Sequence, residues 1–571
     1  MTGLQLTSAD AASQQAAAQA RAGAQAYADG DLAGALGCYF MALGLQPNNP
    51  VYVRNAVALI GVTSGYALPP VIKAILGNAA QSPAFNCQPL ASAVASDFIH
   101  DPLTCELLDL ASRGGEGLEA GLAGDKFDPV LNAPMLRAVL QRAVVTSPRV
   151  EMLLTALRRH ALERTARGVE TCLLGARLDF FACLAAQCFN TEYAYFVSPE
   201  EEGWLGDLFS DGPQKDLGKL MLVASYQQLF DIVGDDPLPD TVSWPAIDFV
   251  FRQQVHEPRR EAEIRAGLKA LTPIDSAFSE GMQAQYERFP YPRWFVCDPG
   301  QPRTFRQLVE ERFPGRSFGN LPKYNANVLI PGCGTGHQIA QVASMLKNPR
   351  ITAVDLSRTS LAYARRKLDE HKIKVHRFGQ ADLLALESWV DRFDYIECMG
   401  VLHHLERPEA GLKALMKLLQ PRGLLRLGLY SERARSHVVA ARKLVAQHGF
   451  PSTAEGVRAA RKLVTTLSED HPVREVMESQ DFYSIAGLHD LIFNIHECRY
   501  TPLGLKDFLD AAGLEFLGFD HPDPSVPVRF RERFPDDPDQ TDLANWEKFD
   551  IEFPDTFSAM YQFWCRPVGT S

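Results

Sequence analysis

The residues of this chain that could do chemistry are concentrated between Asn327 and His404. Gly332, Gly334 and Gly336 follow the short apolar run Val328 to Ile330 in the stretch NVLIPGCGTGHQIAQVASML. Glycines at these positions let the backbone turn sharply and approach a ligand. The free amides of the helix that follows suit an anionic group such as a carboxylate. The spacing is GxGxG, whereas nicotinamide-binding folds favour GxGxxG. Asp355 ends the next apolar run, Ile351 to Val354, where a carboxylate accepts hydrogen bonds from both hydroxyls of a ribose. Asp382 and Leu383 follow a third run, Ile373 to Phe378, and Asp382 is placed to accept from an adenine amino group. Met399 and Gly400 follow a fourth run, Phe393 to Cys398, and lead into His403 and His404. Imidazole titrates near neutrality, so these two histidines are the candidates for a catalytic base. Glu397, an acid inside the fourth run, is read as a further hydrogen-bonding group for the cofactor.

Strands alternating with helices must position these stations, and the four strand ends then line one edge of a parallel sheet, where open α/β folds bind ligands. The pattern continues through LLQPRGLLRLGLY (418–430), a helix over Leu503 to Ala512, a strand over Leu514 to Phe519 and a last strand over Ser558 to Trp564, which makes seven strands. The ordered set resembles the class I S-adenosylmethionine (SAM)-dependent methyltransferases. It is similar at the GxGxG turn, the acid after strand two, Asp382-Leu383 after strand three and VLHHL (401–405) after strand four. It departs at Arg422-Gly423, where that family usually has two glycines after the proline. The resemblance implies a Rossmann-like α/β domain over 321–571, with SAM as cofactor and Gly332, Gly334, Gly336, Asp355, Asp382, Leu383, Met399 and Gly400 around it. A sulfonium methyl is already electrophilic, so acid–base machinery need only align an acceptor and take its proton.

The first half of the chain reads differently. Gly23, Ala35, Tyr39, Ala42 and Pro47 are spaced within 16–49 as in one tetratricopeptide (TPR) unit, and the next window does not repeat them. One such unit cannot bury its own face, so further helices must pack on it. Val150, Leu153, Leu154, Leu157 and Ala161 form one apolar stripe, with Arg158, Arg159 and Arg164 read as the solvated face. LDFFACLAAQCFNTEYAYF (178–196) reads as a central buried helix. Residues 1–265 are thus expected to be all-α, and the whole chain resembles bacterial TPR-fused methyltransferases.

Between them, 266–320 is rich in proline and glycine and reads as a linker or lid. Pro290 and Pro292 hold their neighbours extended, which would present Tyr291, Arg293 and Trp294 to a substrate. An insertion over about 431–500, opened by Tyr430 and containing Tyr483 and Glu497, would shape the rest of the substrate pocket.

Composition narrows the partners. The net charge of −12 disfavours nucleic acid, and no 18-residue apolar run marks a membrane span. MTGLQLTSADAASQQ lacks the features of a signal peptide, and the eleven cysteines contain no CxxC pair, so a cytoplasmic protein with reduced thiols is expected. No metal is expected either, because no His, Asp and Glu cluster has ligand spacing on one element. The leading expectation is a SAM-dependent methyltransferase acting on a protein or peptide side chain that the helical half helps to hold. The alternatives are a small-molecule or glycan O- or N-methyltransferase, whose helical half would serve a homodimer or partner, and a cofactor-binding scaffold without turnover.

Overall fold

The structure is a computed structural model that describes residues 8–63, 68–169, 175–209, 216–234, 237–239, 244–297, 300–523 and 525–569. The chain divides into two compact units, Met1–Arg259 with Glu478–Ile485, and Arg260–Met477 with Ala486–Ser571.

The described part of the first unit is helical. Its opening helices, Ser8–Ala28 and Leu32–Leu45, lie antiparallel: Gly23 faces Tyr39 and Cys38, and Gln46 reaches back to Ser13. A Cβ on Gly23 would stand 3.1 Å from the Tyr39 ring, so the close approach depends on glycine there. Two expectations need correction in this unit. Arg158 is not on a solvated face. It is fully buried, donates to Phe196 O at 2.7 Å and Ser225 O at 3.1 Å, and lies 4.0 Å from the centre of the Tyr226 ring. Carbonyls at a helix end and an aromatic face substitute for water around its charge, which helical periodicity does not register. The helix read over 178–196 instead spans Ala176–Asn190, because Glu192 and Tyr193 adopt left-handed backbone angles (φ 55° and 60°) that turn the chain away.

The second unit is built on a seven-stranded sheet. Its strands are β1 (Asn327–Pro331), β2 (Arg350–Asp355), β3 (Arg377–Gln380), β4 (Phe393–Met399), β5 (Leu419–Tyr430), β6 (Leu514–Phe519) and β7 (Met560–Pro567). They are ordered β3-β2-β1-β4-β5-β7-β6. Neighbours from β3 to β5 pair in parallel and β7 runs antiparallel between β5 and β6. Nearly continuous apolar runs such as Val328-Leu329-Ile330 are buried on both faces, as strands sandwiched between helices require. The connections reverse direction between β1 and β4, and at that switch point the carboxyl ends of the two strands open a crevice.

β3 is shorter than the run 373–378. Ile373 and Val375 pack into the core beneath the sheet instead of pairing, and the ladder begins at Arg377. Lys269 to Leu271 covers the edge of β3: Gln380 N–H donates to Lys269 O at 3.0 Å and Leu271 N–H to Gln380 O at 2.7 Å. An edge strand is thereby kept from pairing elsewhere. The stretch 266–320 is likewise more than a linker. It contains the helices Ala277–Arg288 and Phe305–Arg312, and Phe305, Val309, Phe313 and Phe318 join the core under β1 and β2.

Candidate active site

The loop after β1 turns sharply on its glycines. Gly332, Gly334 and Gly336 have φ of 67°, 51° and 88°, and Gly336 is the left-handed cap of the helix His337–Met345. Gly332 abuts the Val401 side chain, and a Cβ there would lie 2.5 Å from it. Gly334 N–H donates to Asp355 Oδ2 at 2.8 Å, and Ser357 N–H donates to Asp355 Oδ1 at 2.9 Å. Each carboxylate oxygen therefore keeps a lone pair for a further donor. Burial raises the Asp355 pKa from its ordinary value to about 6, against the opposing pull of the Ser357 and Gly334 amides. Asp382 is buried. Its Oδ1 accepts Leu384 N–H at 2.9 Å and its own N–H donates to Thr272 Oγ1 at 2.9 Å. The Leu383 side chain points into the core against the place a Cβ on Gly411 would occupy, so only its backbone is available to a ligand. At the end of β4, Met399 O accepts from Gln338 Nε2 at 3.0 Å, and Gly400 turns at φ 74°.

These features fit SAM. A glycine cradle that side chains would fill and an acid with unused lone pairs one strand away match a carboxylate and a ribose diol. Gly332, Gly334 and Gly336 would hold its amino-acid end, Asp355 its ribose and Asp382 its adenine. Ribose hydroxyls donate best to an ionised acceptor, so in that arrangement Asp355 would lose its proton when SAM binds. Affinity is then expected to fall as pH drops through about 6, by roughly tenfold for each unit below. Calorimetry in buffers of different ionisation heat should show proton release near that pH. A pH-independent affinity would remove Asp355 from the ribose.

The segment Phe289 to Phe295 is clamped onto this loop. Trp294 Nε1–H donates to Thr335 O at 2.8 Å, Thr335 Oγ1–H donates to Pro292 O, and the Tyr363 hydroxyl donates to Trp294 O at 2.8 Å. Lys367 Nζ donates to Phe295 O at 2.9 Å and sits over the Trp294 ring. Trp294 is thus a buried anchor and not an exposed stacking surface for substrate. Arg293 lies 5.9 Å from the centre of the Tyr363 ring, and Tyr291 presents its backbone carbonyl to Gly334. Just upstream, Glu287 accepts Arg358 N–H at 2.6 Å and Thr359 N–H at 3.0 Å, capping the helix Arg358–Glu370. Sequence reading missed Glu287, whose partners lie about seventy residues away, beyond any local pattern.

The two histidines are not equivalent. His403 is fully buried and stacked on Tyr430, with ring centres 3.6 Å apart. Its Nδ1 accepts Tyr430 N–H at 3.2 Å, so in the neutral ring Nε2 carries the proton, and Nε2 is sealed off without a partner. Burial holds its pKa well below the usual histidine value, with the charges of His404 and Arg435 adding to the effect. A ring in this state donates; it does not accept a proton. His404 is arranged the other way. Its Nδ1–H donates to His496 O at 2.9 Å, which leaves Nε2 with a lone pair and no protein hydrogen bond. Burial lowers its pKa too, opposed by Asp490 and the His496 carbonyl.

Three sequence-derived expectations fail here. Glu397 is no cofactor group, since it is buried between β4 and β5, pairs with Arg426 at 2.8 Å and accepts the Tyr395 hydroxyl. Glu497 is not available to substrate, because Arg435 takes both its oxygens (3.1 and 2.6 Å) and Arg499 shares one at 3.1 Å. Tyr483 falls in Glu478–Ile485, the segment that belongs to the helical unit, where it is buried against Phe482. Each of these side chains was placed by its position in sequence, but long-range packing decides which way it faces.

Among the described residues no group of three or more His, Cys, Asp or Glu is placed to hold a metal ion, and no helix is long and apolar enough to cross a membrane.

Residues 329–425 match the family model "Methyltransferase domain". An uncharacterised protein of Synechococcus sp. is 26% identical over 306 residues, covering 50% of this chain and 70% of its own length. The ubiquinone biosynthesis O-methyltransferase of Azotobacter vinelandii is 30% identical over 114 residues, covering 20% of this chain and 48% of its own. The solved structure of PKMT2 from Rickettsia typhi in complex with AdoHcy is 18% identical, with a TM-score of 0.36, and covers 49% of this chain and 55% of its own. The chain thus spans about half the length of the last two. Family match and strand order agree: residues 329–425 of the sheet-bearing unit carry a methyltransferase domain on a Rossmann-like class I sheet, and the glycine cradle suits SAM as its cofactor.

Proposed function

We propose that the chain transfers the methyl group of SAM to an oxygen or nitrogen of a small acceptor, with His404 taking the acceptor's proton. The observation that carries this reading is the unbonded Nε2 of His404, on a ring whose tautomer is fixed by His496 O. SAM supplies the electrophilic methyl, held at the switch point by the glycine loop, Asp355 and Asp382. His403 supports the site from behind: by accepting Tyr430 N–H it fixes the end of β5, and its ring backs Tyr430. The walls favour a small acceptor, because His403, His404, Tyr430 and Arg435 are all nearly inaccessible.

A protein or peptide side chain is the second reading. It draws on the helical unit, which leaves Met41, Val51 and Val71 between 46% and 63% exposed on its first helices. The experiment that separates the two incubates the protein with methyl-labelled SAM and cell extract, then divides label between precipitable protein and the filterable fraction. Label in small molecules supports the first reading and label in protein the second. No transfer to either would refute turnover.

A further inference from the structure

The wall of the site beyond Tyr430 holds a group of arginines that the methyl-transfer reading does not use. Tyr430 is sandwiched: the His403 ring centre and the Arg435 guanidinium carbon each lie 3.6 Å from the centre of its ring, and two groups that close cannot share one face. Arg435 is only 3% exposed and spends two of its nitrogens on Glu497. Arg499 shares that same carboxylate at 3.1 Å, and its Nε is buried without a partner. Arg442 receives no carboxylate oxygen at all. One of its nitrogens donates to Asn494 O at 2.8 Å, and its NH1 is buried with no hydrogen-bond partner.

The other acid nearby, Asp490, is engaged by the Tyr286 hydroxyl at 2.9 Å and Asn494 Nδ2 at 3.1 Å. Three guanidinium groups thus face two carboxylates, while both histidines are held neutral. The group carries one positive charge in excess. Its unpaired atoms, Arg442 NH1 and Arg499 Nε, are both donors. Buried unpaired donors and uncompensated charge are each unfavourable, so the arrangement is incomplete without an acceptor.

We propose that Arg442, supported by Arg435 and Arg499, is the subsite for a carboxylate on the methyl acceptor. The excess of one charge matches a monoanion, and a planar guanidinium fork fits a carboxylate in two parallel hydrogen bonds. The carboxylate anchors the acceptor so that its hydroxyl or amine meets His404; it is not itself methylated, since an ionised oxygen needs no base. This subsite rests on the methyl-transfer reading above, because it assigns the anchor to the same acceptor. It also accounts for Glu497, which orients Arg435 and Arg499 and leaves Arg442 for the ligand. Burial draws the Arg442 pKa below its ordinary value, as expected of a guanidinium awaiting a counter-charge.

The test titrates the full chain, saturated with S-adenosylhomocysteine, with benzoate, benzamide and inorganic phosphate by calorimetry. Benzoate should bind at least about tenfold more tightly than its uncharged isostere benzamide and more tightly than phosphate. Arg442→Gln should erase the difference between benzoate and benzamide, while Arg442→Lys should retain part of it, showing that charge and fork both count. Thermal melting and S-adenosylhomocysteine affinity confirm that each variant is folded. Equal binding of benzoate and benzamide, or a preference unchanged in Arg442→Gln, overturns the subsite, and tighter phosphate binding overturns the monoanion assignment. The methyl-transfer reading fails separately, through absence of label transfer from SAM in the extract experiment, and benzoate binding is read independently of that result.

Discussion

Asp355→Ala is expected to weaken SAM binding by roughly a hundredfold or more, the loss of two hydrogen bonds to a charged acceptor at about 1.5–3 kcal/mol each. The carboxylate joins the two halves of the cradle, since Gly334 and Ser357 donate to its two oxygens from the β1 and β2 loops. Removing it takes away the ribose acceptor and lets the glycine loop relax. Stability should change less than binding. The two amides lose a partner, but a carboxylate whose burial is unfavourable enough to raise its pKa to about 6 is also removed. Asp355→Asn separates the effects: it keeps one acceptor oxygen and should bind SAM with intermediate affinity. Calorimetric titration of the three proteins with SAM, at a temperature where circular dichroism shows all to be folded, checks the order. Equal affinity for the native protein and Asp355→Ala would place the ribose elsewhere.

The strand ends and the glycine turn at which these residues stand were legible in the sequence for a physical reason. A strand end, a sharp glycine turn and an acid at the next strand end are each set by local chain chemistry, and the parallel sheet brings local features to a common edge. Gly332, Gly334 and Gly336 need their positive φ whatever packs above them. What decided the acid–base groups was not local. The tautomers of His403 and His404 depend on Tyr430 N–H and His496 O, the first 27 and the second 92 residues away. The same distance in sequence hid the burial of Arg158 and the pairing of Glu397 with Arg426 across two strands. A charged residue inside an apolar run indicates either a site or a buried pair, and only the register between β4 and β5 distinguishes them. The strap formed by Phe289 to Phe295 is an intermediate case. Its prolines marked an extended segment, but the role of Trp294 follows from Thr335 and Tyr363, which the strap itself does not contain.

His404→Gln is expected to lower kcat by roughly 100- to 10,000-fold, the range for loss of a general base, while leaving SAM affinity within a few-fold of the native value. Glutamine can still donate to His496 O, so the ring's neighbours stay in place and the loss reports on Nε2 alone. The pH profile provides a second readout. Because burial holds the His404 pKa below the ordinary histidine value, native kcat at saturating SAM should persist into mildly acid solution and fall only below that value, when Nε2 gains a proton. The variant should lack this acid limb, and added imidazole should restore part of its rate. His403→Gln should behave differently. It disturbs the Tyr430 N–H hydrogen bond and the Tyr430 stack, so it should lower thermal stability and raise the acceptor's KM, but keep the acid limb of the profile. Both are measured with the acceptor that the labelling experiment identifies. If His403→Gln removed the acid limb and His404→Gln retained it, the tautomer assignment, and the choice of base that follows from it, would be reversed.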